Sequence, residues 1–160
     1  MNIERVSRPA IQVRGIAERT SNRAEAGPEG KISGLWERFF QNGVLQQPGL
    51  SPAFIYGLYT EYESDVNGEY TVLLGCEVAD GGTLATSESF KTIDIPASDY
   101  LVFTSKRGAI TSVVQELWQQ IWTYFHESGE TRTYTGDFEL YEVVQFDPSN
   151  AVVKVYMAVK

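Results

Sequence analysis

The sequence predicts an α+β fold built from two similar halves, each in the order strand, helix, strand, strand. Two observations support this prediction. The residue pair LW at 35–36 returns 82 residues later at 117–118, within a helical pattern both times. The pair LY at 58–59 returns at the same spacing at 140–141, within an extended pattern both times. Equal offsets inside the same order of elements indicate an internal repeat.

The helices are predicted from apolar residues that recur every three or four positions, over residues 31–42 and again over 109–128. Gly43 and Gly129 follow these patterns, and glycine suits the left-handed residue at a helix end. An extended segment that starts at Pro9 or Pro96 precedes each helix, and two extended segments follow it. Each βαββ half should therefore lay one main helix over an antiparallel three-stranded sheet, with a groove where the halves meet.

The whole chain, residues 1–160, is predicted to form one domain. Its halves span about 1–80 and about 83–160 and join near Asp80-Gly81-Gly82, a loop signal. Because the two halves use all of the residues, no DNA-binding domain is expected.

Charge and composition exclude several classes of partner. A formal net charge of -8 repels phosphate backbones, so no direct contact with nucleic acid is expected. One cysteine and one histidine exclude an internal disulfide and a Cys/His zinc site. No apolar run approaches the ~20 residues that cross a bilayer, and no secretory signal opens the chain. We expect a cytoplasmic protein with no membrane partner, no metal and no cofactor.

The strand within GDFELYEVVQF, residues 136–146, carries an unusual pair. Glu139 and Tyr141 share one face of the strand by alternation. Their counterparts in the first half are Gly57 and Tyr59, so a small residue stands where the second half has a carboxylate. Either Glu139 and Tyr141 are ordinary solvent-exposed residues of a strand, or they lie in the groove. Gly57 has two interpretations as well: it leaves space opposite the carboxylate, or it marks a β-bulge.

The doubled βαββ order, the LW helices, the segment PASDYLVFTSKRG and the C-terminal FELYEV and VKVYMAV resemble the gyrase-inhibitor-like (GyrI-like) small-molecule-binding domain. In bacteria that domain is also the effector-binding module of AraC-type and multidrug-sensing transcription regulators. The resemblance implies a cleft between the halves, lined by aromatic residues, with a buried glutamate that attracts lipophilic cations. Glu139, in FELY at 138–141, matches that glutamate.

The chain departs from the resemblance at Lys154, where some relatives carry an acidic residue. Two alternatives are open: Lys154 pairs with Glu139, and no charge remains for a cation, or Glu139 keeps its charge. The tryptophans also have two interpretations, as core residues or as walls of the groove. The ligand-binding residues predicted on this basis are Glu139, Tyr141, Tyr59, Trp36, Trp118, Trp122, Phe40 and Tyr156.

The predicted function is binding of small, largely apolar molecules, including lipophilic cations, by a stand-alone sensor or sequestering protein. One alternative is a small-molecule hydrolase that uses a Glu/Tyr pair in the same cleft, since some relatives have that activity. The leading prediction is a binding protein, and it assigns no catalytic residue. The other is a protein-interaction module of gyrase-inhibitor type, whose protein partner is unknown.

Overall fold

The structure, a computed structural model, describes residues 2–64, 67–79, 84, 90–144 and 147–160. A single 3₁₀ turn, Val44–Gln46, lies between the second helix and the third strand. The predicted junction at residues 80–82 lies outside the described residues. The strands and helices are β1 (Asn2–Arg8), β2 (Ile11–Ser21), α1 (Asn22–Glu25), α2 (Ile32–Gln41), β3 (Leu50–Thr60), β4 (Glu69–Val78), β5 (Lys91–Ile95), β6 (Ser98–Thr104), α3 (Ile110–Ser128), β7 (Asp137–Glu142) and β8 (Lys154–Val159).

The described strands form one eight-stranded sheet in the order β1-β6-β8-β7-β3-β4-β2-β5, and every neighbouring pair is antiparallel. The predicted α+β class is confirmed. Strands β2, β4 and β3 belong to the first half, and β6, β8 and β7 to the second. The two three-stranded units meet edge to edge where β3 pairs with β7. The boundary between the halves, where the sequence predicts a groove, is therefore this central pair of strands.

Strands β1 and β5 were not predicted, and each of them pairs with a strand of the other half. The first strand pairs with β6 of the second half, and β5 pairs with β2 of the first. Neither has a strong local signal, because β1 (NIERVSR) does not alternate cleanly between apolar and polar residues and β5 has only five residues.

The two main helices begin and end where the sequence predicts. Helix α2 buries Leu35 and Phe39, four residues apart, against the sheet. Gly43, at φ 63°, follows this helix in the left-handed conformation that favours glycine. The start of α2 is capped from a distance, since the Glu25 carboxylate accepts hydrogen bonds from the N–H groups of Lys31 at 2.8 Å and Ile32 at 3.2 Å. This contact helps to fix the helix that carries Trp36.

Helix α3 is the counterpart of α2 and buries Val113, Leu117 and Ile121 at i, i+4 spacing. The glycine that follows it, Gly129, has φ 76°. Although α3 is 19 residues long, it exposes polar residues such as Gln115, Gln119 and Thr123. Among the described residues no helix is long and apolar enough to cross a membrane.

The two faces of the sheet bury different clusters. Residues of α2 and α3 pack on one face, together with β3, β4, β7 and β8 residues such as Ile55, Val72 and Val155. On the opposite face lies a cluster around Leu58 and Phe138, and none of its described members belongs to a helix. A residue's position in the alternation along β3 or β7 therefore decides whether its side chain lies under the helices.

Candidate functional site

Strand β7 buries two carboxylates on the helix side of the sheet. Asp137 and Glu139 are two residues apart and so share a face; Asp137 is 0% exposed and Glu139 is 4% exposed. A buried ionised carboxylate is costly unless hydrogen bonds or an opposite charge compensate it. The two acids are compensated in different ways, and this difference defines the candidate site.

Asp137 has a cation as its partner. Its Oδ2 accepts hydrogen bonds from Nη2 of Arg132 at 2.7 Å and from the hydroxyl of Tyr62 at 2.5 Å. Its Oδ1 accepts the backbone N–H of Ala158 at 2.8 Å. The guanidinium of Arg132 is itself buried and lies 4.3 Å from the ring centroid of Tyr134. The negative charge of Asp137 is thus balanced within the fold.

Glu139 has only neutral partners. Its Oε2 accepts hydrogen bonds from the Tyr59 hydroxyl at 2.9 Å and the indole Nε1–H of Trp118 at 2.6 Å. Its Oε1 accepts the Tyr141 hydroxyl at 2.6 Å. Within the part of the chain that the structure describes, no lysine, arginine or histidine forms an ion pair with this carboxylate. The charge of ionised Glu139 therefore has no counter-ion among these residues.

The protonation of this cluster follows from its burial. Burial raises the pKa of Glu139 above its ordinary value, and the hydrogen bonds from Tyr141, Trp118 and Tyr59 oppose that rise because they favour the carboxylate. Burial, followed by the nearby Glu139 charge, raises the pKa of Tyr59 and of Tyr141 well above the usual value for a phenol. Both phenols consequently stay protonated and keep donating.

Gly57 makes room for the carboxylate. It pairs directly with Glu139 across β3 and β7. A Cβ on Gly57 would lie 3.2 Å from Oε1 and 3.5 Å from Cβ of Glu139, which is a tight approach. The irregularity in the pairing of β3 falls between Ser51 and Tyr56, before Gly57. Of the two interpretations left open for this glycine, space opposite the acid therefore applies.

Helix α2 carries a row of aromatic side chains beside Tyr141, one wall of the predicted groove. The ring of Trp36 meets Tyr141 edge to face, with centroids 5.3 Å apart. One helical turn further, Phe40 stacks on Trp36 at 6.1 Å. Phe40 is 54% exposed, so this wall runs from the buried phenol to the surface.

Helix α3 contributes the matching wall. The ring of Trp118, which donates to Glu139, meets Tyr59 edge to face at 5.3 Å. Trp122 lies one turn further along α3, 6.0 Å from Trp118 between ring centroids. Trp122 is 45% exposed, and the two walls thus repeat each other from the carboxylate outwards.

The structure brings all of the predicted ligand residues into this set except Tyr156. Tyr156 pairs with Phe138 on the opposite face of the sheet and stacks on it at 4.7 Å. Lys154 does not pair with Glu139 either, because it lies opposite Leu140, whereas the β8 neighbour of Glu139 is Val155. Lys154 is exposed, so it supplies no counter-ion to Glu139.

Two parts of the site were not predicted. Tyr70 of β4 lies 5.7 Å from Tyr59 between ring centroids and extends the aromatic surface. The alternation in EYTVLLGCEV places Tyr70 on a face with Val72, but only the pairing of β3 with β4 shows which face that is. The donation from Trp118 was also missed, because the orientation of an indole N–H depends on the rotation of α3 over the sheet.

Comparisons with known proteins identify the family. The family model for Cass2, described as an integron-associated effector binding protein, matches residues 4–159. This chain belongs to the integron-associated effector binding proteins. Its resemblance to GyrI-like domains is confirmed, and the family binds small-molecule effectors.

Individual relatives of this effector binding protein agree with the assignment. The integron cassette protein VCH_CASS2, from the mobile metagenome of Vibrio cholerae, superposes with a TM-score of 0.79 at 32% identity, over 99% of this chain and 95% of that chain. YobU of Bacillus subtilis (strain 168), provisionally named a transcriptional regulator protein, is 37% identical over 149 residues, or 91% of this chain and 90% of YobU. SAV2435, solved with bound tetraphenylphosphonium, shares the fold with a TM-score of 0.78 at 24% identity, over 100% and 94% of the two chains.

Proposed function

We propose that this effector binding protein takes up lipophilic organic cations in the groove between α2 and α3. One observation carries the proposal: Glu139 is a buried carboxylate whose three hydrogen-bond donors are all neutral. On the same strand the buried Asp137 has an internal counter-ion, Arg132. Glu139 has no such internal partner among the described residues, and we infer that the bound ligand supplies the positive charge there.

The surroundings of Glu139 favour a particular kind of cation. Three of the roughly four acceptor positions of a carboxylate are already occupied by Tyr59, Trp118 and Tyr141. A primary ammonium or a guanidinium, which must donate several hydrogen bonds, therefore gains little here. A quaternary ammonium or phosphonium has no donors to satisfy, and each aromatic face that it contacts adds about 0.5–2 kcal/mol of cation–π attraction.

The comparisons support this choice of ligand. SAV2435, which has the same fold, was solved with tetraphenylphosphonium bound. That ion carries one positive charge inside four aromatic rings. Its rings suit the aromatic pairs Trp36–Phe40 and Trp118–Trp122, which run from the buried cluster around Glu139 to the surface.

The test compares phenyl-substituted compounds of similar size that differ in charge. Tetraphenylphosphonium, its anionic counterpart tetraphenylborate and the neutral triphenylphosphine oxide are titrated into the protein, with thermal unfolding and calorimetry as readouts. We expect the cation to bind more tightly than the other two compounds, with a stabilisation of about 2.7 kcal/mol at a ligand concentration 100 times its Kd. Equal stabilisation by all three compounds, or by none, would contradict the proposal.

The physiological role proposed for the groove is sensing of such cations, a multidrug-type response. The provisional regulator name of YobU supports it, and sequestration of a toxic cation is the alternative. Cells that carry the wild-type chain or Glu139→Gln are exposed to tetraphenylphosphonium, and transcripts and growth are recorded. A transcript response that needs Glu139 supports a sensor, whereas improved growth without a transcript response supports sequestration.

A second candidate function, hydrolysis of a reactive small molecule, is favoured by the contact between Tyr141 and Glu139 at 2.6 Å. A carboxylate whose pKa is raised by burial is a stronger base than an exposed one, and a nearby phenol supplies a proton to a leaving group. Turnover of small electrophiles that disappears in both Glu139→Gln and Tyr141→Phe would establish it. Binding without turnover leaves the effector role.

A further inference from the structure

The face of the sheet opposite Glu139 carries a second aromatic cluster, and it surrounds a positive charge. The Cζ atom of Arg8 lies 5.2 Å from the ring centroid of Phe138, 5.2 Å from that of Tyr156 and 6.0 Å from that of Tyr56. Phe138 and Tyr156 are nearly parallel, and Tyr56 lies 5.1 Å from Phe138 between centroids. We call these three rings the back cage.

The polar contacts of the back cage are few. Nη2 of Arg8 donates to the Tyr56 hydroxyl at 3.1 Å, and that hydroxyl donates to Oε2 of Glu77 at 3.3 Å. Among the described residues, no carboxylate lies within ion-pair distance of the Arg8 guanidinium. Arg8 is therefore held by ring faces and one hydrogen bond from its guanidinium to a phenol, with the charge of Glu77 behind that phenol.

Arg8 occupies a position from which it can withdraw. It is the last residue of β1, which lies at the edge of the sheet and pairs with β6 alone. The exposed residues Pro9 and Ala10 follow it. The three rings are carried by β3, β7 and β8, and β1 forms no ladder with any of these strands. The backbone that carries the cage therefore belongs to strands other than the one that carries Arg8.

We infer that the back cage is a second cation-binding site of this protein, for a small guanidinium or quaternary ammonium group, and that Arg8 is its resident occupant. Phe138 and Glu139 are consecutive on β7, so the back cage and the Glu139 site lie on opposite faces of the sheet. The inference stands independently of the groove and its ligand. It also gives Tyr156, predicted from sequence as a ligand residue, a cation to contact.

The test removes the resident cation. Tetramethylammonium is titrated into wild type, Arg8→Ala and Arg5→Ala, with binding followed by saturation transfer to its methyl protons and by the tyrosine ring resonances. Arg5 is the matched control, because it lies on β1 but on its other face and binds Asp99 and the Lys160 carbonyl. Any binding in the groove is common to all three proteins.

The expected result is saturable binding to Arg8→Ala that is at least about tenfold tighter than binding to wild type or Arg5→Ala, since several ring faces become free. Adding Tyr156→Leu to Arg8→Ala should abolish this gain. Equal binding by Arg8→Ala and Arg5→Ala would overturn the inference, because it would reduce the effect to net charge. If Arg8→Ala is unfolded, Arg8→Gln replaces it with the same criteria, and unfolding of both variants would overturn the claim that Arg8 is separable from the sheet.

Discussion

Replacement of Glu139 by glutamine separates charge from shape in the groove. The amide oxygen of the introduced glutamine would take over the hydrogen bonds from Tyr59 and Trp118, and its amide NH₂ group would donate to the Tyr141 hydroxyl, which rotates to accept it. The variant should therefore fold and keep its aromatic walls. What it loses is the negative charge.

The loss of affinity follows from Coulomb's law. A phosphonium centre inside its phenyl rings stays roughly 5–6 Å from the carboxylate oxygens, and at an effective dielectric constant of about 20 the attraction at that distance is about 3 kcal/mol. Each 1.4 kcal/mol is a factor of about ten in Kd. We expect Glu139→Gln to bind tetraphenylphosphonium roughly 100-fold more weakly than wild type does.

Isothermal titration calorimetry measures this difference, and Glu142→Gln is the matched control. Glu142 lies on the same strand, but it is exposed and on the other face, so its removal should change Kd by less than about twofold. Binding of the neutral triphenylphosphine oxide should be weaker in wild type than in Glu139→Gln. If folded Glu139→Gln binds tetraphenylphosphonium within about threefold of wild type, the charge of Glu139 does not drive binding and the reasoning fails.

Three further predictions concern the same strand. Because burial raises the pKa of Glu139, the affinity for tetraphenylphosphonium should fall as pH decreases through that pKa. Over the same pH range, the stability of the free protein relative to Glu139→Gln should rise, because the folded state binds the proton more tightly than the unfolded state does. Ligand titrations and urea unfolding between pH 8 and pH 4 measure the two effects. Trp118→Phe removes a donor to the carboxylate, so it should destabilise the protein by about 1.5–3 kcal/mol when Glu139 is ionised and by less at acidic pH, as urea unfolding at the two pH values will show. Arg132→Met leaves Asp137 buried without its cation and should cost about 3–5 kcal/mol in the free energy of unfolding at neutral pH; a cost below about 1 kcal/mol would mean that water reaches Asp137.

The sequence was most informative where a pattern is local. Each main helix has regularly spaced apolar residues and a terminal glycine, and α2 and α3 were accordingly predicted to within about a residue at each end. Strands β1 and β5 have no comparable local signal. Their positions depend on pairing between the halves, over a separation in sequence that no periodicity reports.

The site was predicted as far as the repeat could place it. Matching Gly57 with Glu139 predicted a small residue opposite the carboxylate, and β3 and β7 do pair at these two residues. Tyr156 was assigned to the groove because the register of β8 against β7 was not known, and a register one residue different would have placed it beside Glu139. A pairing register is set by the whole sheet, so this residue could not have been assigned from the alternation within VKVYMAV.

The position of Glu139 also explains why the two halves differ there. The pairing of β3 with β7 puts Gly57 opposite Glu139 and Ile55 opposite Tyr141, so equivalent positions of the repeat face each other at residues 57 and 139. Both halves can carry the same tryptophan, at Trp36 and Trp118, without conflict. They cannot both carry a glutamate at the central position, because the two residues there are cross-strand neighbours whose Cβ atoms are about 5 Å apart. Two carboxylates buried at that distance would strongly disfavour each other's ionisation. One glutamate and one glycine thus place a single negative charge within a nearly symmetric aromatic frame, which suits a ligand with one positive charge surrounded by rings.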